Sequence, residues 1–469
     1  SWYSFSRIFK SNYIGVAGSA LYTLSMYRLY KLVIISAVGE SSSFAFLPLV
    51  VYGFWRVFTE DTQDKRYRRR WIPLAFGYAG IFQTHVLSCE ITVFLTLLLC
   101  IVYRKKIFRL EILRELCKGV GTALALSLWF LVPFLDYYIR EDLCIKHGYA
   151  RPIQERGLYL AQLLAHWWRI GSDAPIGESG MYHSHALGVG FILIAGFLVF
   201  GGLWFFGRFG GMDKRIFKLG RLSFVFSTLL MCMSLNLFPW DKIQNSSRLL
   251  ASLVGSLQFP NRFLGWASVF LVLLFCSCLY YFREKEQKTL YYAGLLCVLT
   301  GIATSSLYLT DYAVRDRGQL TLYNEEGMGK GYIAGGEYLA WGTRQETLVY
   351  HAPAASKGVL LEAYEKGALC ADFRCVNPGN QEGYVELPLL HYYGYQAYAE
   401  GMRLSVCKGD NNLVRVIIPA GLDAQVKVRL FSPWYWRAAE IVSYMTLLYL
   451  PATYIIRRMA EKCRGKEEE

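Results

Sequence analysis

The chemical groups that first stand out in this sequence are one carboxylate and two cations that flank one short segment. Arg28 and Lys31 precede the segment, and Glu40 ends it immediately before an apolar run. A carboxylate placed there is suited to accept a proton or to bind a metal ion, and the two cations are suited to contact a phosphate group. A carboxylate at a helix N-terminus also complements the helix dipole, so the pattern leaves a purely structural role for Glu40 open.

A histidine lies within an otherwise apolar stretch further along the chain. His85 follows Gln83 and Thr84, and it precedes Ser88 and Glu90. Polar groups in such a stretch are costly unless they face a cavity or each other. We therefore predict that His85 lies in a cleft, shared with Glu40 and Arg28, and that it pairs with Glu90; an inert, hydrogen-bonded core histidine is the alternative.

An arginine stands at the start of another apolar run. Arg262 follows the segment Leu257–Asn261 and precedes Phe263. Its planar guanidinium is suited to bind a phosphate through two hydrogen bonds. The alternative is an arginine that only extends its charge to the membrane surface.

The middle of the chain carries a weaker pattern for metal binding. His183 and His185 are two residues apart, with Asp173 and Glu178 upstream. Two histidines at this spacing bind a metal only if further ligands converge on them, so a divalent metal cofactor stays open. Asp136, which ends an apolar run, is either a solvated charge or a cleft carboxylate.

Two of the twelve cysteines lie close enough in sequence to close a small loop. Cys370 and Cys375 are separated by four residues in a polar part of the chain. A disulfide between them would be favoured in an oxidising compartment. The sequence leaves a disulfide and two free thiols equally open.

The elements that position these groups are apolar runs long enough to cross a membrane. Hydrophobic residues make up 54% of the 469 residues, and a crossing needs roughly 20 of them in a run. The clearest runs are Ala186–Phe206, Phe263–Phe282, Leu290–Leu309 and Trp434–Ile456. The net charge of +14 comes from basic residues between such runs, which indicates cytoplasmic loops and not a nucleic-acid partner.

Placing every basic loop in the cytoplasm gives a topology of about ten crossings. The loops are Glu60–Arg70, Arg104–Lys118, Arg208–Arg221, Arg283–Lys288 and Arg457–Lys466. The other predicted crossings are Tyr13–Tyr27, Ser41–Phe58, two short ones within Trp71–Tyr103, Thr122–Tyr138 and Leu222–Phe238.

A long polar insert before the last apolar run has the alternating pattern of β-strands. The predicted strands are Glu346–Tyr350, Val359–Tyr364, Gly383–Leu390, Tyr395–Cys407, Leu413–Pro419 and Ala424–Phe431. We thus predict a mainly α, multi-pass membrane protein: a helical bundle over 1–310, an extracytoplasmic β-sandwich-like domain over 311–432, and a last helix with a basic tail over 433–469. By itself, the insert favours a lid or a carbohydrate-binding platform without chemistry of its own.

Several segments resemble the YfhO-like family of bacterial membrane proteins, including relatives labelled as related to 6-pyruvoyl-tetrahydropterin synthase. The segments occur in order along nearly the whole chain: Leu21–Leu29, Gly39-Glu40 before Leu47-Pro48-Leu49, Thr84-His85, Leu257–Phe263, Val385–Leu390 and Tyr393–Tyr395. The chain departs from the family pattern at Met26, where the family tends to have Pro, and at Asn261, where it tends to have Trp.

The resemblance implies a GT-C-type glycosyltransferase of the bacterial cell membrane that takes sugar from a polyprenyl-phosphate donor. Such enzymes carry an acidic residue in their first outer loop, which we expect upstream of Ser1. Glu40 and His85 would then be acidic and cleft residues of the catalytic site, and Arg28, Lys31 and Arg262 would contact the donor phosphate.

The expected partners are the lipid-linked donor, membrane lipids and an envelope glycan or glycopolymer acceptor. Two other functions stay open from the sequence: a transporter or flippase for lipid-linked glycans, and a non-catalytic envelope assembly factor. A transporter would be expected to show repeated halves, which the sequence lacks.

Overall fold

The computed structural model describes residues 1–63, 69–147, 152–164, 187–315, 336–344, 348 and 351–467, and most of them are helical. The helices are α1 Trp2–Phe9, α2 Asn12–Thr23, α3 Met26–Leu29, α4 Val38–Ser43, α5 Leu47–Thr59, α6 Ile72–Thr84, α7 Val86–Val102, α8 Arg104–Ile107, α9 Leu110–Arg140, α10 Leu160–Leu164, α11 Phe191–Phe205, α12 Lys214–Ser234, α13 Trp240–Gln244, α14 Arg248–Ser256, α15 Phe263–Glu284, α16 Lys288–Arg315 and α17 Trp434–Glu467.

Within the described residues, five helical segments are long and apolar enough to cross a membrane. They are Val38–Thr59, Leu110–Arg140, Lys214–Ser234, Pro260–Glu284 and Lys288–Asp311, and α7 and α11 are shorter apolar helices. The helical, membrane-spanning character predicted from the sequence agrees with these segments. The total of about ten crossings and the side of the membrane on which each loop lies stay predictions.

Two helices differ from the predicted crossings in length. α9 begins at Leu110, within the predicted basic loop, because Glu, Leu, Arg and Lys are all good helix formers. The predicted crossing Tyr13–Tyr27 is instead broken: α2 has 12 residues, about 18 Å, which is too short to span the apolar core.

Contacts divide the chain into two compact units, residues 1–127 with 150–319, and residues 128–149 with 320–469. In the first unit, α15 is buried along almost its whole length, and it packs against α2, α11 and α12. Such a helix can be apolar on every side because it meets protein all round.

The second unit contains two antiparallel sheets over one shared hydrophobic core. The strands are β1 Ala354–Ala355, β2 Leu360–Lys366, β3 Cys370–Val376, β4 Gly383–Leu390, β5 Tyr395–Ala399, β6 Met402–Leu404, β7 Val406–Lys408, β8 Leu413–Ile418 and β9 Asp423–Leu430. One sheet has the order β1-β4-β8-β7, and the other has the order β2-β3-β9-β5-β6. Alternate residues of both sheets point into the core, as in a sandwich.

The predicted strands match this part of the chain with two differences. The run predicted as one strand, Tyr395–Cys407, is three strands, since Glu400 and Gly401 have positive φ and turn the chain between β5 and β6. The sequence predicted neither β1 nor β3. The predicted strand Glu346–Tyr350 falls almost entirely outside the described residues.

Cys370 and Cys375 are free, so the disulfide that the sequence left open is absent. Both lie on β3, five residues apart, which places their Cα atoms about 16 Å apart and their side chains on opposite faces. A disulfide requires Cα atoms within about 7 Å.

Removing the Phe373 ring should open the core between the two sheets. Phe373 is fully buried, so Phe373→Ala should destabilise the sheets by about 3–5 kcal/mol. The buried, free Cys375 thiol reports the opening, and its alkylation, followed by mass spectrometry, should become at least ~100-fold faster. Leu360→Ala, on the exposed side of β2, should leave the rate nearly unchanged; equal rates in both variants would mean that Phe373 is not a core residue.

Candidate functional site

The candidate site is built where α3, α4 and the start of α15 meet. A π-helical turn, Tyr30–Ile34, continues α3, and it brings Tyr27 and Lys31 onto the same side of the chain. α4 presents Glu40 to these two side chains. The 3₁₀ turn Pro260–Arg262, directly before α15, closes the site from a distant part of the sequence.

Glu40 is the centre of the site and is only 4% exposed. Its Oε1 accepts a hydrogen bond from the Tyr27 hydroxyl at 3.0 Å, and its Oε2 lies 3.2 Å from Lys31 Nζ. Arg262 Nε lies 3.8 Å from the same Oε2. The Tyr27 hydroxyl also lies 3.3 Å from Asn261 Oδ1, which ties the turn before α15 to the cluster. We call Tyr27, Lys31, Glu40, Asn261 and Arg262 the Glu40 cluster.

The Glu40 cluster buries two cations against one carboxylate. Removing charges from water is costly, and one carboxylate neutralises only one of the two cations. Burial, together with the nearby Arg262 charge, lowers the pKa of Lys31, while Glu40 opposes that shift. With Lys31 protonated, the cluster holds one more positive than negative charge in a buried place.

Arg262 has hydrogen-bonding capacity that the described residues do not use. Its Nη2 donates to Gln258 Oε1 at 2.9 Å, whereas its buried Nε and Nη1 donate no hydrogen bond to any described residue. Buried donors without acceptors are uncommon, because an unmade hydrogen bond of a charged group is expensive. An anion bound here would satisfy both the donors and the excess charge.

His85 lies beside the cluster and is linked to it through two serines. The residue ends α6 and caps α7, with Nδ1 accepting from the Ser88 amide at 3.2 Å and lying 2.8 Å from the Ser88 hydroxyl. The Ser88 hydroxyl lies 2.9 Å from that of Ser43, which donates to the Glu40 carbonyl at 2.6 Å.

A glycine makes this close approach of α4 and α6 possible. A Cβ at Gly39 would lie 2.8 Å from the Thr84 carbonyl oxygen and 3.6 Å from His85 Cδ2. The first distance is shorter than any normal contact, so a side chain at this position would push α4 away from His85. Gly39 thereby sets the distance between His85 and Glu40.

Burial keeps the His85 ring neutral. It lowers the pKa of His85 to about 4, and the Arg262 and Lys31 charges act in the same direction, while Glu40 opposes them. Since Nδ1 accepts the Ser88 amide, the proton of the neutral ring is on Nε2. His85 can therefore offer a hydrogen-bond donor at Nε2.

Three residues that the sequence placed in or near this site lie elsewhere. The Arg28 guanidinium stacks 5.2 Å from the centre of the Tyr22 ring and makes no ion pair with Glu40. Glu90 accepts from the Ser256 hydroxyl at 2.7 Å instead of pairing with His85. Asp136, in the second unit, accepts from the Trp436 indole at 2.9 Å and pairs with Arg140 at 2.6 Å.

The metal pattern predicted from the sequence cannot be placed, because Asp173, Glu178, His183 and His185 lie outside the described residues. Among the residues that are described, no three His, Cys, Asp or Glu side chains converge in a way that could hold a metal ion.

The sequence reasoning missed Tyr27, Ser43 and Asn261. Tyr27 was detectable in principle, since it lies four residues before Lys31 and shares its helical face. Asn261 was noticed only as a departure from a family pattern, although its amide oxygen lies within reach of Tyr27.

Comparisons of the chain with protein-family models, with curated proteins and with solved structures find no match. The resemblance to the YfhO-like family therefore depends on the quoted segments alone.

The stability of the protein should depend on pH through His85. As the pH falls from about 6.5 towards 4, the imidazole of the unfolded chain binds a proton, whereas the buried imidazole of the folded protein does not. The free energy of unfolding should therefore fall by about 2 kcal/mol, a value reduced for solvent screening because the group is partly exposed. His85→Asn keeps a capping side chain that does not titrate, and it should lose less stability over that range.

The measurement is thermal unfolding of both proteins in the same detergent at pH 4, 5, 6 and 7. Equal losses in the wild-type protein and in His85→Asn would show that His85 does not resist protonation in the folded state.

Proposed function

We propose that this chain is a multi-pass glycosyltransferase of a bacterial cell membrane that uses a polyprenyl-phosphate-linked sugar donor. The observation that carries the proposal is the pair of unused, buried Arg262 donors beside an excess positive charge. Five helical segments that could cross a membrane support a lipid-linked donor over a soluble one. The ordered segments that resemble the YfhO-like family agree with both features.

In the proposed mechanism, Arg262 and Lys31 bind the phosphate of the donor. A hydroxyl of the envelope glycan acceptor attacks the anomeric carbon, and the bond between that carbon and the phosphate oxygen breaks, with its electron pair going to the phosphate. The hydroxyl proton passes to water. Negative charge then develops on the departing lipid phosphate, where hydrogen bonds from cations stabilise it most. The outgoing phosphate would thus complete the neutralisation that Glu40 provides only in part.

Glu40 takes a positioning role in this proposal, in place of the proton acceptor that the sequence suggested. Both of its oxygens are already engaged, by Tyr27 and by Lys31, and the carboxyl is buried. It holds the two cations in place and has no face open to an acceptor hydroxyl. His85, neutral and with its proton on Nε2, would donate to an oxygen of the bound donor.

Replacing Arg262 should weaken the binding of a lipid phosphate more than it harms the fold. Arg262→Gln removes the excess charge but leaves the Glu40–Lys31 pair intact, so the unfolding temperature should stay near the wild-type value. Loss of a charge-assisted hydrogen bond, about 1.5–3 kcal/mol, should weaken polyprenyl-phosphate binding roughly 10- to 150-fold.

Arg28→Gln is the matched control, because it removes an arginine charge in the same way but outside the Glu40 cluster. Binding is measured with the purified protein in lipid nanodiscs, and transfer with a polyprenyl-phosphate sugar and membrane glycan. Equal affinities of the two variants would overturn the phosphate role of Arg262. Normal binding of the donor without sugar transfer by the wild-type protein would instead favour a flippase or an assembly factor.

A further inference from the structure

The second unit contains a cavity of about 330 Å³ whose walls are mostly aromatic. Its aromatic lining residues are Phe134, Tyr137, Tyr138, Tyr338, Tyr392 and Tyr395. Volumes of this order are at the small end of ligand-binding pockets. The cavity shares no lining residue with the Glu40 cluster.

Backbone pairing holds one wall of the cavity in place. The segment that carries Tyr338 is joined to the chain after α9 by an antiparallel bridge between Leu143 and Ala340. On one side of the bridge, the Cys144 amide donates to the Leu339 carbonyl at 2.8 Å. The Tyr338 ring then packs edge-on against Phe134 of α9.

A buried carboxylate holds the opposite wall. Glu141 Oε1 accepts from the Tyr393 amide at 2.6 Å, and Glu141 Oε2 pairs with Lys408 at 3.2 Å. This contact fixes the loop between β4 and β5, which carries Tyr392, to the end of α9. The Glu141 charge is therefore paired, and the residues that line the cavity are themselves uncharged.

The tyrosine hydroxyls fall into two groups. The Tyr137 hydroxyl donates to the Tyr393 carbonyl at 3.2 Å, and the Tyr392 hydroxyl donates to the Tyr338 carbonyl at the same distance. These hydrogen bonds fix both donor rings. The hydroxyls of Tyr138, Tyr338 and Tyr395, in contrast, make no hydrogen bond to any described residue. Tyr395 is 9% exposed and packs in the core between the two sheets, which fixes its ring.

We infer that this cavity binds a neutral sugar unit of a glycan. Aromatic faces are suited to pack on the C–H faces of a pyranose ring, and the three available hydroxyls are suited to its hydroxyl groups. The lining residues carry no cation for an anionic ligand, and the adjacent Lys146 ammonium already lies 5.2 Å from the centre of the Tyr138 ring. A purely apolar chain would leave the three hydroxyls without partners. The site would hold a glycan whether or not the Glu40 cluster transfers sugar.

The test measures binding of neutral disaccharides to the full-length protein. Cellobiose, lactose and N,N′-diacetylchitobiose are titrated in a detergent without a sugar headgroup, and saturation-transfer NMR gives the affinity. The double variant Tyr338→Phe/Tyr395→Phe keeps both rings and removes two hydroxyls. Loss of two hydrogen bonds should weaken binding of the preferred disaccharide about 10- to 30-fold.

Tyr384→Phe is the matched control, since Tyr384 lies on β4 beneath Arg415 and does not line the cavity. It should bind the disaccharide as the wild-type protein does. Binding of no disaccharide at about 10 mM, or equal binding by the double variant, would overturn the inference. Farnesol bound in place of any disaccharide would also overturn it, and would identify a site for apolar chains.

Discussion

The burial of Glu40 with Lys31 and Arg262 is the interaction on which the first unit's candidate site depends. A carboxylate that is 4% exposed persists as a charge only with partners, and its partners come from two stretches of chain outside α4. Removing the carboxylate would leave both cations uncompensated, at a cost of several kcal/mol. The cluster therefore fixes the π-helical turn, α4 and the start of α15 relative to one another.

The same cluster explains why the site is suited to an anion. The cluster holds two cations and one carboxylate, so one positive charge has no counter-charge within it. In addition, two Arg262 donors have no acceptor among the described residues. A bound phosphate would supply both the missing negative charge and the missing hydrogen-bond acceptors. Because it would bind the folded state and not the unfolded one, it would also stabilise the folded state. Tyr27, Asn261 and the serine pair that leads to His85 support the cluster rigidly on one side. Few groups therefore need to move when a ligand binds.

Much of this fold could be predicted from the sequence because its signals are local. Alternation of apolar and polar residues predicted β4 over Gly383–Leu390, the range that the structure shows. β3 has the same alternation, with Ala371, Phe373 and Cys375 inward, but the spacing of its two cysteines is equally compatible with a small disulfide-closed loop. Apolar runs predicted α15 and α16, and the charged start of α9 was mistaken for a loop.

The site was only partly predictable, because its geometry depends on helix phase and on distant contacts. Charged residues at the ends of apolar runs indicated Lys31, Glu40 and Arg262. The same signal indicated Arg28, which the turn of α3 directs towards Tyr22. No local pattern shows that Asn261 lies beside Tyr27, since 234 positions separate them.

A double-mutant cycle between Glu40 and Lys31 tests the central claim most directly. Unfolding free energies of Glu40→Gln, Lys31→Met and the double variant are measured in mixed micelles. Glu40→Gln leaves two buried cations without a carboxylate, so it should be the more destabilising of the two single changes. Adding Lys31→Met to Glu40→Gln should restore part of the stability. The coupling free energy between the two changes should exceed about 1 kcal/mol. Additive effects, or a harmless Glu40→Gln, would contradict a buried charge cluster.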